Sequence, residues 1–427
     1  MRSNRAKHNL LAVSANNAEA AINTAATIDT AMLVEIGDII NLDQRRETNA
    51  DEATGYEEAD TIYDNGNTSS GSLNFNKAQP QHFAFLMAFG LGSVATAAAG
   101  AGYQHTITPI ADDLDTERSN PSFSAIQKLG DTIAKRRFYS MFVDSFTCTF
   151  AKDDWLKCTG SLKGTGKYDT TITEETVAAA KNATTLTLAA NAVHGATAAA
   201  RLDSIHQVRC ELDTGEWTEV ECTAASAATP AILTIVAPGA TADVVDYKIV
   251  YSPTEAAWAT FPARVTESPL RISCMTLTLG GTWDGSAFVG GQTVTAALNS
   301  LEYSLSNNLE VEFVPGACSA GAYAGSCSRP QRMQTVKLNR RLQEFVLQNY
   351  MIQNEYFGLH VLAEGAEFDT GHNYTVELIF PRLGVLTAPL SVDGKRMAEA
   401  GDLQVLQDAT YGSVIARVKN LVATYAV

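Results

Sequence analysis

Residue types that carry chemistry are plentiful in this chain, but their spacing is wrong for the reactions they serve. Seven histidines are scattered along 427 residues, and none stands in an HExxH or comparable paired-ligand spacing, so a zinc site has no ligand set. His360 and His372 fall on or near successive strand-like runs; the expectation for them is two half-buried histidines in ordinary roles. Lys163 to Tyr168 (KGTGKY) imitates a phosphate-binding loop and fails it twice. Ser161 stands where the first glycine is needed, and Lys167 precedes Tyr168 instead of Ser or Thr. Gly90, Gly92, Gly100 and Gly102 lack the spacing and the βαβ context of a dinucleotide fingerprint. No GxSxG elbow is present. Cys318 has no histidine close in sequence to serve as its base. Asp153 and Asp154 are adjacent carboxylates on a turn, which normally face water instead of flanking a substrate. The chain therefore reads as a protein that is not an enzyme, with no catalytic, cofactor or metal residues.

Charge narrows the field further. The formal net charge is −16, from 31 Lys+Arg against 47 Asp+Glu, which argues against a binder that works by neutralising phosphates. It does not exclude a surface that DNA passes without sticking. Only 18% of residues are charged, and Thr, Ser, Asn and Ala fill the polar positions, as expected where neighbouring copies cover much surface. Seven cysteines without CxxC spacing argue against a zinc ribbon or a complete disulfide framework. Cys318 and Cys327 bracket the loop CSAGAYAGSC and are placed to close it. The first residues are basic, but their apolar run is too short for a secretory signal. Phe83 to Tyr103 carries no formal charge, yet its second half, SVATAAAGAG, falls short of a bilayer span. A short buried helix followed by a loop is the expectation there.

The elements that must position these residues are mostly strands. Residues 1–30 are Ala/Asn-rich and read as an arm that orders against a partner, and Ala31 to Ile40 is the first candidate strand. Asp43 to Asp64 is acidic: Glu47, Asp51, Glu52, Glu57, Glu58 and Asp60 read either as a solvated loop or as one that docks on another subunit or fringes a pore. Gly71 to Asn76 is a short strand, and Pro80 opens a helix stopped by Gly90 and Gly92. A β-meander follows. Phe146, Cys148 and Phe150 alternate with Ser145, Thr147 and Thr149; after a polar turn, Leu156, Cys158 and Leu162 alternate with Lys157, Thr159, Ser161 and Lys163. Residues 170–255 shift to Ala, Thr and Val and form strand-sized runs, expected as a small β module inserted between strands of the main domain. Leu301, Tyr303, Leu305, Leu309, Val311 and Phe313 then alternate with Glu302, Ser304, Ser306, Glu310 and Glu312. Leu338 to Asn354 shows helical spacing, and two further strands and a terminal strand or arm follow. The sum is a mainly β, α+β chain: a sandwich or open barrel with one or two flanking helices.

Several stretches together resemble the major tail tube proteins of long, non-contractile-tailed bacteriophages. They are RRETNADEATGYEEADTIYDNGNTSSGSLNFNKAQP, HFAFLMAFGLG, AGYQHTITPI, NPSFSAIQKLG, the SFTCTF…LKCTGSLKGTG hairpin and YTVELIFPRLGVL. The resemblance spans residues 30–168 and 260–427. It implies a tube domain in two parts (31–169 and 256–427, ending in a C-terminal arm); the compositional arm at 1–30 and the inserted β-rich outer module at 170–255, a candidate Ig-like module, lie outside the resemblance. It also implies rings, usually of six subunits, stacked into a tube around a tape-measure protein that DNA later replaces. A duplicated tube domain would make the ring a trimer instead. Tail terminator and tail-tip proteins would be the further partners, and the location would be the virion tail, assembled in the host cytoplasm. Under this reading Glu302, Ser304, Glu310 and Glu312, with Thr147, Thr149 and Thr159, face the lumen, although Lys157 and Lys163 work against a uniformly acidic channel; the alternative is that these faces meet outer solvent. The acidic stretch becomes an inter-ring loop. The competing reading is a tail-tip, baseplate or host-surface-binding virion protein carrying the Ig-like module.

Overall fold

Alternating apolar and polar residues recur from end to end, and the backbone follows them into ladders. A computed structural model describes residues 9–110, 120–129, 134–212, 215–238, 244–254, 257–314, 322–393 and 395–427. The protein is mainly β, with 54% strand against 9% helix, so antiparallel pairing satisfies most of its backbone. The chain divides into two compact units: Ala12–Ala125, Phe138–Lys167 and Pro262–Val427 form the larger, and Met1–Leu11, Ile126–Arg137 and Tyr168–Phe261 the smaller.

In the larger unit one ladder runs, strand beside strand, through Asn41–Thr48, Ile62–Phe75, Lys157–Gly164, Ala134–Ala151, Leu298–Ser306, Met333–Arg341, Arg396–Val405 and Leu390–Asp393. A second runs through Gly92–Ala99, Gly102–Pro109, Ile415–Asn420, His372–Thr387, Phe357–Asp369 and Met275–Trp283. The strand His372–Thr387 belongs to both. Thr375 to Ile379 pair with Ile415–Asn420, while Leu383 to Thr387 pair with Arg396–Val405. The inward faces meet, with the Tyr303 ring 5.2 Å from Phe380 and 5.8 Å from Phe146.

Helix α1 (Pro80–Leu91) lies among these inward faces, and all twelve of its residues are buried. Phe83, Phe85, Leu86, Met87 and Phe89 each contribute about 1.5–3 kcal/mol by leaving water. The sheet makes room for it with a glycine: a Cβ on Gly160 would meet Leu86 Cδ2 at 2.8 Å. A dry helix has no water for its end groups, so side chains serve them. At the start, Gln81 N donates to Glu267 Oε2 at 2.8 Å and Gln79 N to His82 Nδ1 at 3.3 Å. At the end, Asn307 Nδ2 donates to Gly90 O at 3.0 Å, and Arg332 Nη2 to Leu91 O at 3.1 Å.

Several expectations change. Helices do not merely flank the sheets: α1 is enclosed by them. α2 (Ala198–Asp203) lies in the smaller unit, and α3 (Val346–Gln353) is far shorter than the helix expected over Leu338 to Asn354. Leu338 belongs to a strand whose inward residues are Gln334, Val336, Leu338 and Arg340. Arg340 is buried because Glu399, also buried, lies 3.2 Å away, so a charge sits where the alternation asks for an apolar residue. From residue 9 onward the N-terminal segment packs against its own chain instead of awaiting a partner, with Ala12, Val13 and Ala15 buried. Glu19, 2% exposed, accepts from Ser122 Oγ and Ser124 Oγ at 2.6 Å, Ser140 Oγ at 2.7 Å and Ser140 N at 3.0 Å. Ser140 itself holds a left-handed backbone, φ 43°, which those bonds to Glu19 stabilise. The C-terminal stretch is docked as well: Tyr425 is buried and accepts from Asn420 Nδ2 at 2.8 Å.

The smaller unit contains most of the expected insertion. A four-stranded sheet orders Thr173–Ala180, Val244–Tyr251, Ile205–Glu211 and Trp217–Glu219, and a three-stranded one orders Thr185–Thr187, Ile232–Ile235 and Cys222–Ala225. Leu186, Val208, Leu233, Tyr247, Ile249 and Tyr251 fill its core. Thr173–Ala180 gives no strand signal in sequence, since TEETVAAA offers only Val177 as a large apolar residue.

The start of α1 also sets a dependence on pH. Burial pushes His82 down to about 3 and Glu267 up to about 7. His82 is neutral when folded, so its stability is present above about 6.5 and is lost as pH falls toward 3, at about 1.4 kcal/mol per pH unit. Glu267 has the opposite sign: its contribution is full below its ordinary 4.5 and is lost as pH rises through 7. The two slopes oppose each other between about pH 4.5 and 6.5. Glu267→Gln removes one of them, and denaturant titrations over that window are expected to show a steeper acid loss than wild type. A second expectation concerns Glu19→Ala, which removes the acceptor of three buried serine hydroxyls and lowers stability by about 3 kcal/mol in the same assay.

Candidate functional site

One surface gathers five of the seven residues expected to face a lumen: Thr147, Thr149, Thr159, Glu302 and Ser304. It is the outward face of the first ladder, where register rather than sequence proximity assembles rows. Asn74, Thr159, Thr147, Ser304, Thr335 and Gln404 face one another in successive strands. The next row holds Lys157, Thr149, Glu302, Lys337 and Asp402. On the other side lie Ser72, Ser161, Ser145 and Ser306. The opposite faces of the same strands carry Phe75, Cys158, Cys148, Tyr303 and Val336, all buried, so the period of two that fills the core also presents the hydroxyls. Thr147 Oγ1 and Ser304 Oγ are 3.0 Å apart, which cross-links two strands on the wet side.

The lysines on this face are paired. Lys157 Nζ is 2.6 Å from Asp154, Lys163 Nζ is 3.3 Å from Asp144, and Lys337 Nζ is 3.6 Å from Glu302. The hydrogen bond from Lys157 holds the Asp154 carboxyl below the usual carboxylate range. Such a surface offers hydroxyl and amide groups with little local net charge. Phosphates find neither a row of free cations nor a wall of anions there.

Thr147, Thr149, Thr159, Glu302 and Ser304 come together on this face, but Glu310 and Glu312 do not. The alternation from Leu301 to Phe313 is broken at Asn307 and Asn308. Asn307 turns inward to donate to Gly90 O and Val143 O, and Asn308 adopts φ 49°. Glu310–Glu312 consequently pairs with Ser326–Ser328 in a separate two-stranded sheet.

The acidic stretch is less a loop than a β-ribbon. Asn41–Thr48 pairs with Ile62–Phe75 as far as Thr48 and Ile62. Glu47 lies in the first of these strands; Asp51, Glu52, Glu57, Glu58 and Asp60 lie in the exposed connection. Asn49 ties off that connection, donating from Nδ2 to Asp60 Oδ1 at 2.6 Å and accepting from Asp60 N at 3.1 Å. Tyr63 OH reaches Glu52 at 2.8 Å. Tyr56 and Ile62 are 74% and 63% exposed.

Two edges of the ladders differ in kind. Asn41–Thr48, which among the described residues pairs only with Ile62–Phe75, is an edge carrying Asp43, Arg45, Arg46 and Glu47, a charged protection against stray pairing. Gly92–Ala99 pairs with Gly102–Pro109 and, among the described residues, with no other strand. Its sequence GSVATAAA has no charge and no proline, and Ser93 and Ala95 to Ala98 are exposed. Its small residues suggest a loop; pairing with Gly102–Pro109 makes it a strand instead.

The remaining chemistry-bearing residues stay apart. His360 lies level with Ile379 and His372 with Asp369, about 24 Å apart along the hairpin at the usual rise of a strand. His360 Nε2 contacts Glu377 at 2.8 Å. Cys318 lies outside the described residues; Cys327 is buried beside Phe142 and Leu309. Asp153 is 85% exposed on its turn. Among the described residues no three His, Cys, Asp or Glu side chains are grouped to hold a metal ion, and no helix is long and apolar enough to cross a membrane.

The pairing of the lysines has a measurable consequence. Asp154→Asn with Glu302→Gln frees Lys157 and Lys337, and the variant is expected to retain duplex DNA at low salt where wild type retains none. Its log–log salt slope should be near 2, at about 0.9 per phosphate neutralised. Glu57→Gln with Glu58→Gln makes the same change in net charge on the ribbon and is expected to gain no retention. Fluorescence anisotropy of a labelled duplex measures all three proteins.

No protein-family model matches the chain, and a search of curated proteins finds no similar sequence.

Proposed function

We propose that this chain is the structural subunit of a bacteriophage tail tube, closing into rings that stack to form the channel through which genomic DNA leaves the particle. The observation that carries the reading is the strand Gly92–Ala99, an exposed, uncharged ladder edge with no described partner on its outer side. A soluble monomer protects such an edge; a subunit that pairs with its own copies needs it open. Head-to-tail pairing that closes around an axis gives a ring, most simply of six copies, and contacts along the axis repeat the ring into a tube.

Two further features support the same reading. The acidic ribbon, with exposed Tyr56 and Ile62, suits contact with the next ring. The hydroxyl face with paired lysines suits a lumen that first holds a tape-measure protein and then lets DNA slide. Tail terminator and tail-tip proteins would cap the stack, and the site of action is the virion. The smaller unit is decoration under this reading.

Negative-stain microscopy of the purified protein is expected to show stacked rings with a pore that admits duplex DNA. Ala95→Lys with Ala97→Lys charges the open edge and is expected to leave a folded monomer, with unchanged circular dichroism and no rings. A wild-type monomer at high concentration sinks the proposal, as do normal tubes from the charged-edge variant.

A further inference from the structure

The turn between Ala134–Ala151 and Lys157–Gly164 sets Cys148 directly opposite Cys158. Both thiols are fully buried on the inward face, between Phe75 on one neighbouring strand and Tyr303 on the other, and both are unoxidised. Which kind of facing pair they form follows from the hydrogen bonds to the next strand. Lys152 N donates to Asn299 O at 2.9 Å and Asn307 N donates to Asp144 O at 2.7 Å. Even-numbered residues from 144 to 152 therefore turn their backbone polar groups toward Leu298–Ser306. Cys148 does the same, so its pairing with Cys158 is the non-hydrogen-bonded kind. Facing Cα atoms approach to about 4.5 Å in such pairs, against about 5.5 Å in the hydrogen-bonded kind. That lies inside the span of about 4.4–6.8 Å that a disulfide bridges. No other cysteine in the described strands faces a cysteine: Cys210 opposes Thr218 and Tyr247, Cys222 opposes Ile235, and Cys327 opposes Val311.

We propose that Cys148 and Cys158 are an oxidative modification site, closing into an intrachain disulfide when the hairpin forms in the presence of a low-molecular-weight disulfide such as oxidised glutathione. One cysteine thiolate attacks the glutathione disulfide and expels a glutathione thiolate. The second cysteine thiolate attacks the mixed disulfide and expels the other. Two S–H bonds and one S–S bond are replaced by one S–S bond and two glutathione thiols, so electrons and protons balance. Once the hairpin is packed the pair is shut away, and burial, with the Cys158 thiol alongside, pushes the Cys148 thiol well above its ordinary range. The redox state is thus written during folding and kept afterwards. Oxidation would pin the register of the two strands that carry Thr147, Thr149 and Thr159, strands in which a one-residue slip would turn the hydroxyls inward. The inference needs only the hairpin and is independent of the tube reading.

The test refolds the full chain from denaturant in oxidised/reduced glutathione and, separately, in reductant, followed by alkylation in denaturant and peptide mapping. Oxidising refolding is expected to yield a cross-linked peptide joining Cys148 to Cys158 and two fewer alkylated cysteines. Native protein treated afterwards with the same glutathione mixture is expected to keep both thiols. Equal alkylation after both refolding conditions overturns the proposal, as does oxidation that reaches the pair equally in native protein or joins other cysteines instead. Mapping the chain recovered from a host with an oxidising cytoplasm is expected to show the same cross-link without refolding, and its absence there counts against the proposal equally. In that host, Cys148→Ala with Cys158→Ala is expected to abolish the difference in thiol count.

Discussion

Everything in the larger unit accommodates a helix that touches no water. α1 has no polar face to offer solvent, so the inward faces of both ladders must be apolar wherever they meet it, and each of its orphan backbone groups needs a partner from elsewhere in the chain. The partners from outside the helix come from far apart in sequence, Glu267 at one end and Asn307 and Arg332 at the other, while His82 within the helix serves the preceding Gln79 N–H. Asn307 also accounts for the break in the strand pattern before Glu310, because a residue committed to the end of α1 cannot continue a ladder. Burying a carboxylate and an imidazole at one helix start costs stability in opposite pH ranges. The arrangement evens out what either group would do alone.

Sequence alternation carried the meander furthest. Ser145 to Phe150 and Lys157 to Leu162 have the inside and outside that their pattern implies, because both faces there are uniform. The hydroxyl face was legible strand by strand, while the order of the strands was not: nothing local says that Ser304 lies against Thr147. Pattern and structure part where one residue answers to a distant partner. Arg340 is inward only because of Glu399, which hid the strand Met333–Arg341 behind an apparent helical spacing. The ribbon Asn41–Thr48 was hidden by charge, since an edge strand open to solvent needs no apolar face. The N-terminal segment looked like a free arm because its anchors are small: Ala12, Ala15 and a Glu19 that is held by serines.

The outward face and the open edge place different demands on the same scaffold. On the face, each carboxylate beside a lysine turns two charges into a local dipole, whose potential falls away within a few ångströms. At the edge Gly92–Ala99, the absence of charge leaves the backbone as the dominant feature. Side chains that are almost all small leave the hydrogen-bonding groups accessible and impose little shape of their own.

The strand His372–Thr387 gives the larger unit a mechanical character. Because its first part is paired in one ladder and its last part in the other, the two cannot separate like stacked slabs. Tension applied to either passes in line along one continuous backbone into its counterpart. Rupture then means shearing several ladder hydrogen bonds together instead of peeling them singly, and the larger unit would yield under load as one body.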